Sequence, residues 1–358
     1  MIIRDFEIEL SVMPKQDPSW RFALGASPVT EGLILRLATE DGSEGYGYAG
    51  SSPHMGSMPA TMRAELEFFR DAVVGQDASH IASIMNRLDA RFRGANQAKA
   101  AVDCALHDLM ARRLGVPLNV LFGGPVRRKI PILRILAIKS PTEMAAAAQK
   151  LVDEGIHYLK IKVHGDVDED VARVGAIRRQ VGDNVHLTID ANQSYRVKDA
   201  VTAINRMAEY RIDLVEQPVA AADFDGLAQV TRMVPVTVEA DESAGTVQDI
   251  FTLVSGRKCD AVSLKIAKLG GLRNTLAAAR LCEMGGIRYR FGAAVGSRLM
   301  TAHALHLACT LKGVDYACEF GEFDRLTGDL FGGIEVQDGH IMLPEGPGTG
   351  VHPLKKAA

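Results

Sequence analysis

The sequence has few cysteines, no long apolar segment and a nearly neutral charge balance. Its five cysteines are scattered along 358 residues without a Cys-x-x-Cys pair, so neither a zinc site nor a disulfide framework is expected. No apolar run approaches the roughly 18 residues of a membrane-spanning helix. Asp5 and Glu7 lie where a secretory signal would be apolar. We therefore expect a cytoplasmic protein with buried, reduced thiols.

The charge balance excludes one further class of function. There are 41 Lys and Arg residues against 44 Asp and Glu residues, a net charge of −3. A nucleic-acid-binding surface needs a basic surplus to neutralise phosphates, so we expect no nucleic-acid partner. The 47% hydrophobic and 24% charged composition is typical of a globular chain. The length fits two domains, or a barrel with an appendage.

The N-terminal third alternates strand and turn signals before it becomes helical. Strands are predicted over residues 2–12, 33–37 and 44–49. A helix over residues 98–114 is indicated by one apolar face, formed by Val102, Leu106, Leu109, Met110 and Leu114. The following Gly115-Val116-Pro117 ends that helix, and Gly123-Gly124-Pro125 is the candidate domain boundary.

The rest of the chain is periodic. Predicted strands begin at intervals of 23 to 28 residues, near Pro131, Tyr158, His186, Asp213, Val236, Ala261, Arg288 and Asp315. Helical stretches fill most of the intervals, which is typical of a (β/α)₈-type barrel. A doubly wound sheet is the alternative, but it usually has fewer strands and a glycine-rich first turn. Residues 328–350, rich in Gly and Pro, are expected to leave the barrel and pack on the N-terminal domain.

Charged residues end five consecutive barrel strands. In chain order these residues are Lys160 and Lys162, Asp190, Glu216, Asp241, and Lys265. A single charge at a strand end can simply mark where solvent begins. The three acids, however, are 26 and 25 residues apart, one βα unit each. Adjacent carboxylates repel unless a cation joins them, and oxygen ligands without His or Cys select Mg²⁺ or a similar ion.

The flanking lysines suggest acid–base chemistry around such an ion. Lys162 and Lys265 belong to strands on opposite sides of the acidic trio and can face a substrate from both sides. A lysine with an ordinary pKa of about 10.4 is a poor base at neutral pH, but nearby cations lower that pKa. We expect a twist or bulge at the strand end to be needed to bring both Lys160 and Lys162 to the site.

Three other motifs are weaker signals. Gly45-x-Gly47-x-x-Gly50 matches a dinucleotide-binding string, but no helix opens directly after it, so a nucleotide role is not expected. His303 and His306 are expected to be a packed or solvated pair. Lys268 is interpreted as a charge in a loop or at a helix start.

Five strand-end motifs in this order resemble the enolase superfamily, and in particular its muconate lactonizing enzyme subgroup. They are Leu159-Lys160-Ile161-Lys162, Ile189-Asp190-Ala191-Asn192, Val215-Glu216-Gln217-Pro218, Ala240-Asp241-Glu242-Ser243 and the segment from Leu264-Lys265 to Gly270-Gly271. The resemblance extends over essentially the whole chain. It implies an α/β fold, a modified TIM barrel (β/α)₇β with an N-terminal α+β capping domain. The implied domains are residues 1–125 for the cap, 126–325 for the barrel and 326–358 for a segment that returns to the cap.

The resemblance also implies roles for these residues. Asp190, Glu216 and Asp241 would bind Mg²⁺, with Mn²⁺ as a possible substitute, and the metal would stabilise the enolate formed when an α-proton leaves. Lys162 and Lys265 would be the acid–base pair, and Lys160 would help to neutralise the substrate carboxylate or enolate. Asn192 and Glu242 match positions that support the metal site and Lys265.

The substrate is less closely defined. In this family it is selected by cap loops and by the ends of the last strands, where this chain has Trp20, Tyr48, Ala294, Glu319 and Glu322. Related dipeptide epimerases carry an Asp-x-Asp there to hold the substrate ammonium, and this chain departs from it. Glu319 can still indicate a cationic nitrogen, with Trp20 as a cation–π face. Alternatively, Trp20 fills the core and Glu319 is a structural ion-pair partner.

We consider three functions. The first is a Mg²⁺-dependent racemase or epimerase that removes and returns the α-proton of an amino-acid-derived or N-substituted carboxylate. The second is a lyase of the same superfamily, either a hydroxyproline-type dehydratase or a muconate cycloisomerase. The third is a metal-dependent binding protein without catalysis, which five intact motifs argue against. We expect a small-molecule carboxylate substrate, no membrane partner and a homo-oligomer.

Overall fold

The computed structural model describes residues 1–292 and 295–354. The strands are β1 Ile3–Pro14, β2 Arg21–Phe22, β3 Gly25–Ala26, β4 Val29–Thr39, β5 Glu44–Gly50, β6 Lys129–Pro131, β7 Arg134–Leu136, β8 Tyr158–Lys162, β9 His186–Asp190, β10 Leu214–Glu216, β11 Thr237–Ala240, β12 Ala261–Leu264, β13 Arg288–Phe291, β14 Phe331–Gly332, β15 Val336–Gln337, β16 His340–Met342 and β17 His352–Pro353. The helices are α1 Pro59–Val73, α2 Ile81–Arg91, α3 Asn96–Leu114, α4 Pro141–Asp153, α5 Val167–Val181, α6 Val197–Ala208, α7 Phe224–Met233, α8 Val247–Ser255, α9 Ile266–Leu269, α10 Leu272–Gly285 and α11 Arg298–Thr310. Short 3₁₀ turns cover Pro53–Met55, Leu118–Phe122 and Glu322–Arg325.

The N-terminal part is an antiparallel sheet, ordered β1-β4-β5, that packs on helices. The three strands and the helix predicted from the sequence are confirmed, with the helix beginning two residues earlier, at Asn96. The glycines of β5 let α3 approach closely, since a Cβ at Gly47 would lie 1.9 Å from the carbonyl oxygen of Ala101. The Gly-x-Gly-x-x-Gly string therefore has a packing role in the cap.

The second part is a parallel sheet of seven strands, β7 to β13 in sequential order. Its strands are short and bury apolar side chains in the core. In β9, for example, Leu187 and Ile189 are fully buried. Six of the eight predicted strand starts agree with the structure to within one residue. This order, in which each strand neighbours the next, is the barrel topology that the spacing predicted, and it excludes the doubly wound alternative.

The first and last predicted strands differ from the prediction. Pro131 ends β6, which pairs with β16 of the C-terminal tail, and the barrel strand β7 begins only at Arg134. The segment after Asp315 forms no regular strand, but it bridges both edges of the sheet. The Leu133 amide donates to the carbonyl of Cys318 at 3.0 Å, and the Glu319 amide donates to the carbonyl of Phe291 at 3.0 Å. This irregular segment closes the ring between β7 and β13.

The C-terminal tail contacts helix α3 of the N-terminal part. The Thr349 amide donates to Asp108 Oδ1 at 2.9 Å, and Arg112 Nη2 donates to the carbonyl of Val351 at 2.9 Å. Asp108 and Arg112 both belong to α3, so the helix links the tail to the cap. The domain limits at residues 125 and 325 stay a prediction.

The cysteines and the two histidines have structural surroundings. All five cysteines are buried and unpaired, which confirms the expectation of reduced thiols. His303 and His306 are fully buried, and the two ring nitrogens of His303 lie 2.8 and 3.2 Å from the carbonyl oxygens of Leu299 and Cys104, so the prediction of a packed pair is confirmed. In the described part of the chain, none of the helices combines the length and the apolar character needed to cross a bilayer.

Candidate active site

The charged strand ends meet at one edge of the barrel. Lys162, Asp190 and Glu216 are the last residues of β8, β9 and β10, and their backbones lie side by side in the sheet register. Asp241 directly follows β11, and Lys265 directly follows β12. All five side chains are at least nine-tenths buried. Because parallel strands share one carboxyl edge, the sequence order becomes the spatial order, with a lysine on each side of the acids.

Asp190 is held by both lysines of β8. Its Oδ2 accepts from Lys162 Nζ at 2.5 Å and lies 2.9 Å from Lys160 Nζ, while Oδ1 accepts from the Asn192 amide at 2.9 Å. Burial favours the neutral acid, but the two ammonium groups outweigh it and hold the pKa of Asp190 well below its usual value. The expected twist or bulge is wrong: β8 pairs with β9 in unbroken register, and residues two apart lie on one face of a regular strand.

Asp241 is held by two lysines as well. The sequence interpretation placed Lys268 at a helix start, where it lies, but missed its contact with this acid. Its Oδ2 accepts from Lys265 Nζ at 2.5 Å, and its Oδ1 accepts from Lys268 Nζ at 2.8 Å. Lys268 also donates to the carbonyls of Asp241 and Ser263 at 2.6 and 3.0 Å and is only 4% exposed. It is therefore part of the site and not a surface charge, because the short helix α9 turns it back towards the barrel.

Glu216 is bound from the barrel interior by residues that the sequence analysis missed. Its Oε2 accepts from Arg290 Nη2 at 2.5 Å and lies 2.6 Å from Lys160 Nζ. Arg290 Nε also donates to both carboxylate oxygens of Glu239, at 3.0 and 2.9 Å. A signal was present in the sequence, since Glu239 and Arg290 each lie between two uncharged residues within a predicted strand, where a buried charge needs a partner.

The loops after β9 and β10 support the site through strained backbone. Asn192, with φ of 41°, accepts from Lys162 Nζ at 2.7 Å through Oδ1 and donates to Glu242 Oε1 at 3.1 Å. Gln217, with φ of 37°, accepts from the Asp241 amide at 2.9 Å. Left-handed backbone at residues other than glycine is costly and concentrates at functional sites. These two residues connect the ligand-bearing loops to one another.

A cavity of about 330 Å³ lies over this edge, and residues of the N-terminal part contribute to its lining. The described residues that line it from the barrel include Lys160, Lys162, Asp190, Asn192, Asp241, Lys265 and Glu319. From the cap, the segment of residues 15–31 and the turn at residues 51–55 contribute the remaining wall. A neighbouring cavity of about 470 Å³ shares Lys15, Trp20, Ile135 and Val295 with it.

Of the five residues predicted to contact the substrate, some line the reaction cavity and others do not. Trp20 is half-buried, lines both cavities, and has Lys15 Nζ 4.0 Å from its ring centre. Glu319 lines the reaction cavity, where its carboxylate accepts from Lys160 and lies 3.6 Å from Arg290. Glu322 lines only the neighbouring cavity. Tyr48 does not reach either one, because it points into the core with 2% exposure, and Ala294 lies outside the described residues.

The acidic trio has the donor chemistry of a site for a hard cation. Its ligands are all carboxylate oxygens, and Glu216 Oε1 is buried without a hydrogen-bond partner in the structure. Over residues 1–292 and 295–354, no three acidic, histidine or cysteine side chains are already grouped around one point as metal ligands. Lys162 and Lys265 hold the carboxylate oxygens of Asp190 and Asp241 instead. The residues fit a divalent ion once those ammonium groups turn towards a substrate.

Without a metal ion, the charges around Lys265 are mainly acidic. Burial lowers its pKa, but the carboxylates of Asp241, Glu319 and Glu216 outweigh burial and hold the pKa above its ordinary value. The lowered pKa expected from a second lysine together with a bound metal ion stays a prediction. In the folded chain the nearest charged partner of each lysine is an acid.

Comparison with known proteins agrees with this geometry. Residues 7–123 match the family model for the mandelate racemase / muconate lactonizing enzyme N-terminal domain, and residues 143–357 match the enolase C-terminal domain-like model. The crystal structure of a dipeptide epimerase from Enterococcus faecalis, complexed with Mg and the dipeptide L-Leu-L-Tyr, superposes with a TM-score of 0.93 at 34% identity, covering 98% of this chain and 99% of that one.

Two further relatives have different activities. A chloromuconate cycloisomerase from Cupriavidus necator is 34% identical over 90% of this chain and 89% of its own length. The crystal structure of N-succinyl Arg/Lys racemase from Bacillus cereus superposes with a TM-score of 0.96 at 27% identity, covering 99% of this chain and 96% of that one. With both domain models matched and the acid and lysine positions on the expected strands, the chain belongs to the mandelate racemase / muconate lactonizing enzyme family of the enolase superfamily.

Proposed function

We propose that this protein is a racemase or epimerase that removes and returns the α-proton of an N-substituted, amino-acid-derived carboxylate. The observation that carries the proposal is the position of Lys162 and Lys265. They flank the acidic trio from β8 and from the end of β12, contact Asp190 and Asp241 respectively, and line the same cavity. A base on each side of a bound carbon can take a proton from one face and return one to the other.

The charges of the site favour a divalent cation and a monoanionic substrate together. Five basic groups face six carboxyl groups, which leaves one negative charge when all six acids are ionised; these groups are Lys160, Lys162, Lys265, Lys268 and Arg290, against Asp190, Glu216, Glu239, Asp241, Glu242 and Glu319. Burial raises the pKa of Glu216, Glu239 and Glu242, and a bound divalent ion would favour their ionised forms. One divalent ion and one substrate carboxylate bring the total to zero. Asp190, Glu216 and Asp241 would hold the ion, which supplies a positive charge for the substrate carboxylate and for the negative charge that develops as the proton leaves.

The lysines would then exchange partners. With a cation on Asp190 and Asp241, Lys162 and Lys265 lose their main acidic contacts and can turn towards the substrate. Asn192 stays on Lys162 through its Oδ1 and limits how far that ammonium moves. Lys160 is too enclosed to turn towards the substrate, because it is buried between Asp190, Glu216 and Glu319. It is better suited to a fixed electrostatic role.

The substrate nitrogen is the second part of the proposal. Glu319 accepts from Lys160 and lies 3.6 Å from Arg290, so its charge is already balanced within the protein. Gly321 lies two residues after Glu319, where an Asp-x-Asp spacing would place the second acid, and it has no side chain. A Cβ at this position would lie 2.7 Å from the guanidinium of Arg134. Within residues 1–292 and 295–354, Glu319 and Gly321 thus offer no pair of acids to a substrate ammonium. We therefore propose an acylated or otherwise uncharged nitrogen in place of a free amine.

Deuterium incorporation tests the reaction. The protein would be incubated with Mg²⁺ in deuterated water, with N-acyl amino acids, N-acylproline derivatives, dipeptides with a free amine, and muconates. We expect the N-acyl compounds to gain one mass unit and to lose optical purity. The Lys265→Met variant should lose this interconversion, whereas Lys198→Met, a substitution in helix α6, should retain it.

Other products would reassign the protein. Lactone formation from muconates would favour the cycloisomerase, and loss of water from hydroxyproline derivatives would favour the dehydratase. Exchange restricted to dipeptides with a free amine would overturn the proposed substrate class but keep the two-lysine reaction. If the Lys265→Met variant still binds Mg²⁺ and retains the full biological effect, the protein would be a binding protein and not an enzyme.

A further inference from the structure

A short turn, residues 266–271, connects the proposed acid–base residue Lys265 to helix α10. Lys265 is the N-cap residue of α9, and its carbonyl accepts from the Leu269 amide at 3.0 Å. Gly270 and Gly271, with φ of 83° and 118°, then redirect the chain into α10. The position of the Lys265 backbone therefore depends on what holds this α9 turn in place.

The first contact that holds the α9 turn comes from helix α3 of the N-terminal part. Asp103 Oδ2 accepts from the Leu272 amide at 2.6 Å and from the Arg273 amide at 3.4 Å. The first amides of a helix have no partner within it and are usually capped by the side chain of the preceding residue. Here that residue is Gly271, where a Cβ would lie 2.4 Å from Asp103 Oδ2. Asp103 therefore replaces a local cap, although it lies 169 residues away in the sequence.

A second contact from α3 reaches the same turn. Asn96 Nδ2 donates to the carbonyl of Lys268 at 2.8 Å and to the carbonyl of Gly245, in the loop after β11, at 3.4 Å. Asn96 and Asp103 are seven residues apart, about two helical turns, so they lie on one face of α3. Ala95, directly before Asn96, has a left-handed backbone with φ of 54°, which is costly for a residue other than glycine. Helix α3 thus holds the α9 turn at two points.

The segment after the other proposed acid–base lysine is held in a different way. Lys162 ends β8, and the amides of His164 and Gly165 donate to Asp170 Oδ2 at 3.3 and 2.9 Å. Asp170 belongs to α5, the helix that directly follows β8 in the same βα unit. The chain around Lys162 is therefore held from within the barrel, whereas the chain after Lys265 is also held by a helix of the N-terminal part.

We infer that α3 positions Lys265 through Asp103 and Asn96, and that it thereby controls proton transfer on one face of the substrate only. The inference rests on the proposed function, which makes Lys265 one of two acid–base groups. Asp103 and Asn96 act through the backbone of the α9 turn, so they are positioning residues. A displacement of about 1 Å can lower a rate about 100-fold. A looser turn should therefore slow proton transfer by Lys265 and spare proton transfer by Lys162.

The test compares the two enantiomers of one N-acyl amino acid that the wild-type protein interconverts. Loss of the α-proton from each enantiomer would be followed by NMR in deuterated water with Mg²⁺. Lys265→Met identifies the enantiomer whose proton Lys265 removes, as the one whose exchange falls further. For Asp103→Ala, we expect the exchange rate of that enantiomer to fall about tenfold and the rate of the other to change less than about twofold. Asn96→Ala should give a smaller change in the same direction.

Two variants of α3 separate positioning from a general loss of structure. Asp103→Asn keeps an oxygen that can accept from the Leu272 amide, since Asn is also a good cap, and should retain the wild-type ratio of the two rates. Asp108→Ala removes another fully buried carboxylate of α3, which accepts from the amides of Tyr46 and Thr349 at 3.0 and 2.9 Å. This variant should leave the ratio unchanged, because its contacts lead to β5 and to the C-terminal tail.

Backbone amide exchange measures the α9 turn without any substrate. In Asp103→Ala, the amides of residues 266–273 should exchange about tenfold faster than in the wild type, because the start of α10 loses its acceptor and opens more often. Asp108→Ala should leave this segment at the wild-type rate. If Asp103→Ala does not fold, Asn96→Ala still decides the question, because it removes a half-buried amide and no buried charge.

The outcomes separate the two proposals. An unchanged ratio of the two rates, or unchanged amide exchange over residues 266–273, would overturn the inference and leave the proposed reaction standing. A wild-type protein that exchanges no α-proton would overturn the proposed reaction, and the inference with it. A fall for one enantiomer in Asp103→Ala and Asn96→Ala, absent from Asp108→Ala, would support the inference.

Discussion

The two walls of the reaction cavity are built in different ways. On the barrel wall, charged side chains are buried and bind one another through short contacts, such as Lys162 to Asp190 at 2.5 Å. On the cap wall, the segment of residues 15–31 is exposed or half-buried except at Thr30, and its two-residue strands β2 and β3 form a separate two-stranded sheet. Chemistry common to a family needs fixed distances, whereas substrate choice needs a wall that can vary. We therefore propose that the barrel wall carries the reaction and that the cap wall selects the substrate.

The largest expected effect of a single substitution is on the barrel wall. Lys265→Met should lower the rate of α-proton exchange about 10³-fold, because it removes one of the two proposed acid–base groups. The fold should be retained, since Asp241 keeps its contact with Lys268 at 2.8 Å. The measurement is the exchange rate in deuterated water, with thermal unfolding as the control. Exchange at the wild-type rate would place the base elsewhere.

Loss of Arg290 alone should mainly affect stability. Arg290→Met leaves Glu239 fully buried without its guanidinium partner, and uncompensated buried charges cost about 3–5 kcal/mol. Urea unfolding of the metal-free protein would give the change in free energy. The double variant with Glu239→Gln should recover most of the loss. If the single variant is as stable as the wild type, the buried charges of the barrel wall do not stabilise one another as this comparison assumes.

Substitution on the cap wall should show the opposite pattern. Trp20 is half-buried, contacts Phe22 with ring centres 5.6 Å apart, and lines both cavities. Trp20→Ala should change kcat/KM about tenfold, with an effect that differs between substrates, and change the free energy of unfolding by less than about 1 kcal/mol. Kinetics with two N-acyl substrates, together with urea unfolding, would measure both. A uniform loss for all substrates would place Trp20 in the common chemistry.

The smallest expected effect is a dependence on pH from the cap. Burial lowers the pKa of Lys15 to about 8, although Glu322 opposes the shift. The cavity therefore loses a positive charge as the pH rises from 7 to 9, and KM for an anionic substrate should increase about two- to threefold. The pKa of Lys15 is lower in the folded chain than in the unfolded chain, so the charged lysine reduces the free energy of unfolding below pH 8. This loss of stability disappears as the pH rises from about 8 to 10.5. Lys15→Met should abolish the pH step in KM.

Much of the fold and of the reaction site could be predicted from the sequence. Barrel strands repeat at nearly constant intervals, and each functional acid or lysine ends an apolar run. Parallel strands share one carboxyl edge, so Asp190, Glu216 and Asp241 had to meet there. Membership in the isomerase family predicted from these motifs is confirmed by the matched domains. This part is local in sequence and needs only the topology of the barrel.

Other features depended on contacts between distant segments, which no local pattern specifies. Lys268 joined the site because α9 turns back after one turn, and Arg290 reaches Glu239 across 51 residues of sequence. Tyr48 was assigned to the substrate, but its face of β5 packs inwards. No local pattern predicted that an irregular segment near Cys318, and not a regular strand, closes the barrel.

The sequence by itself determined the family, the barrel order and the identity of the groups that meet at its edge. Only the tertiary structure decided which donors hold each carboxylate, such as Lys268 on Asp241 and Arg290 on Glu216. The physical reason is that strand periodicity fixes where a residue lies along the chain, whereas hydrogen-bond pairing among buried charges depends on all the neighbours at once. Asp190, Glu216 and Asp241 follow from the pattern, and the donors that orient them follow from the packing.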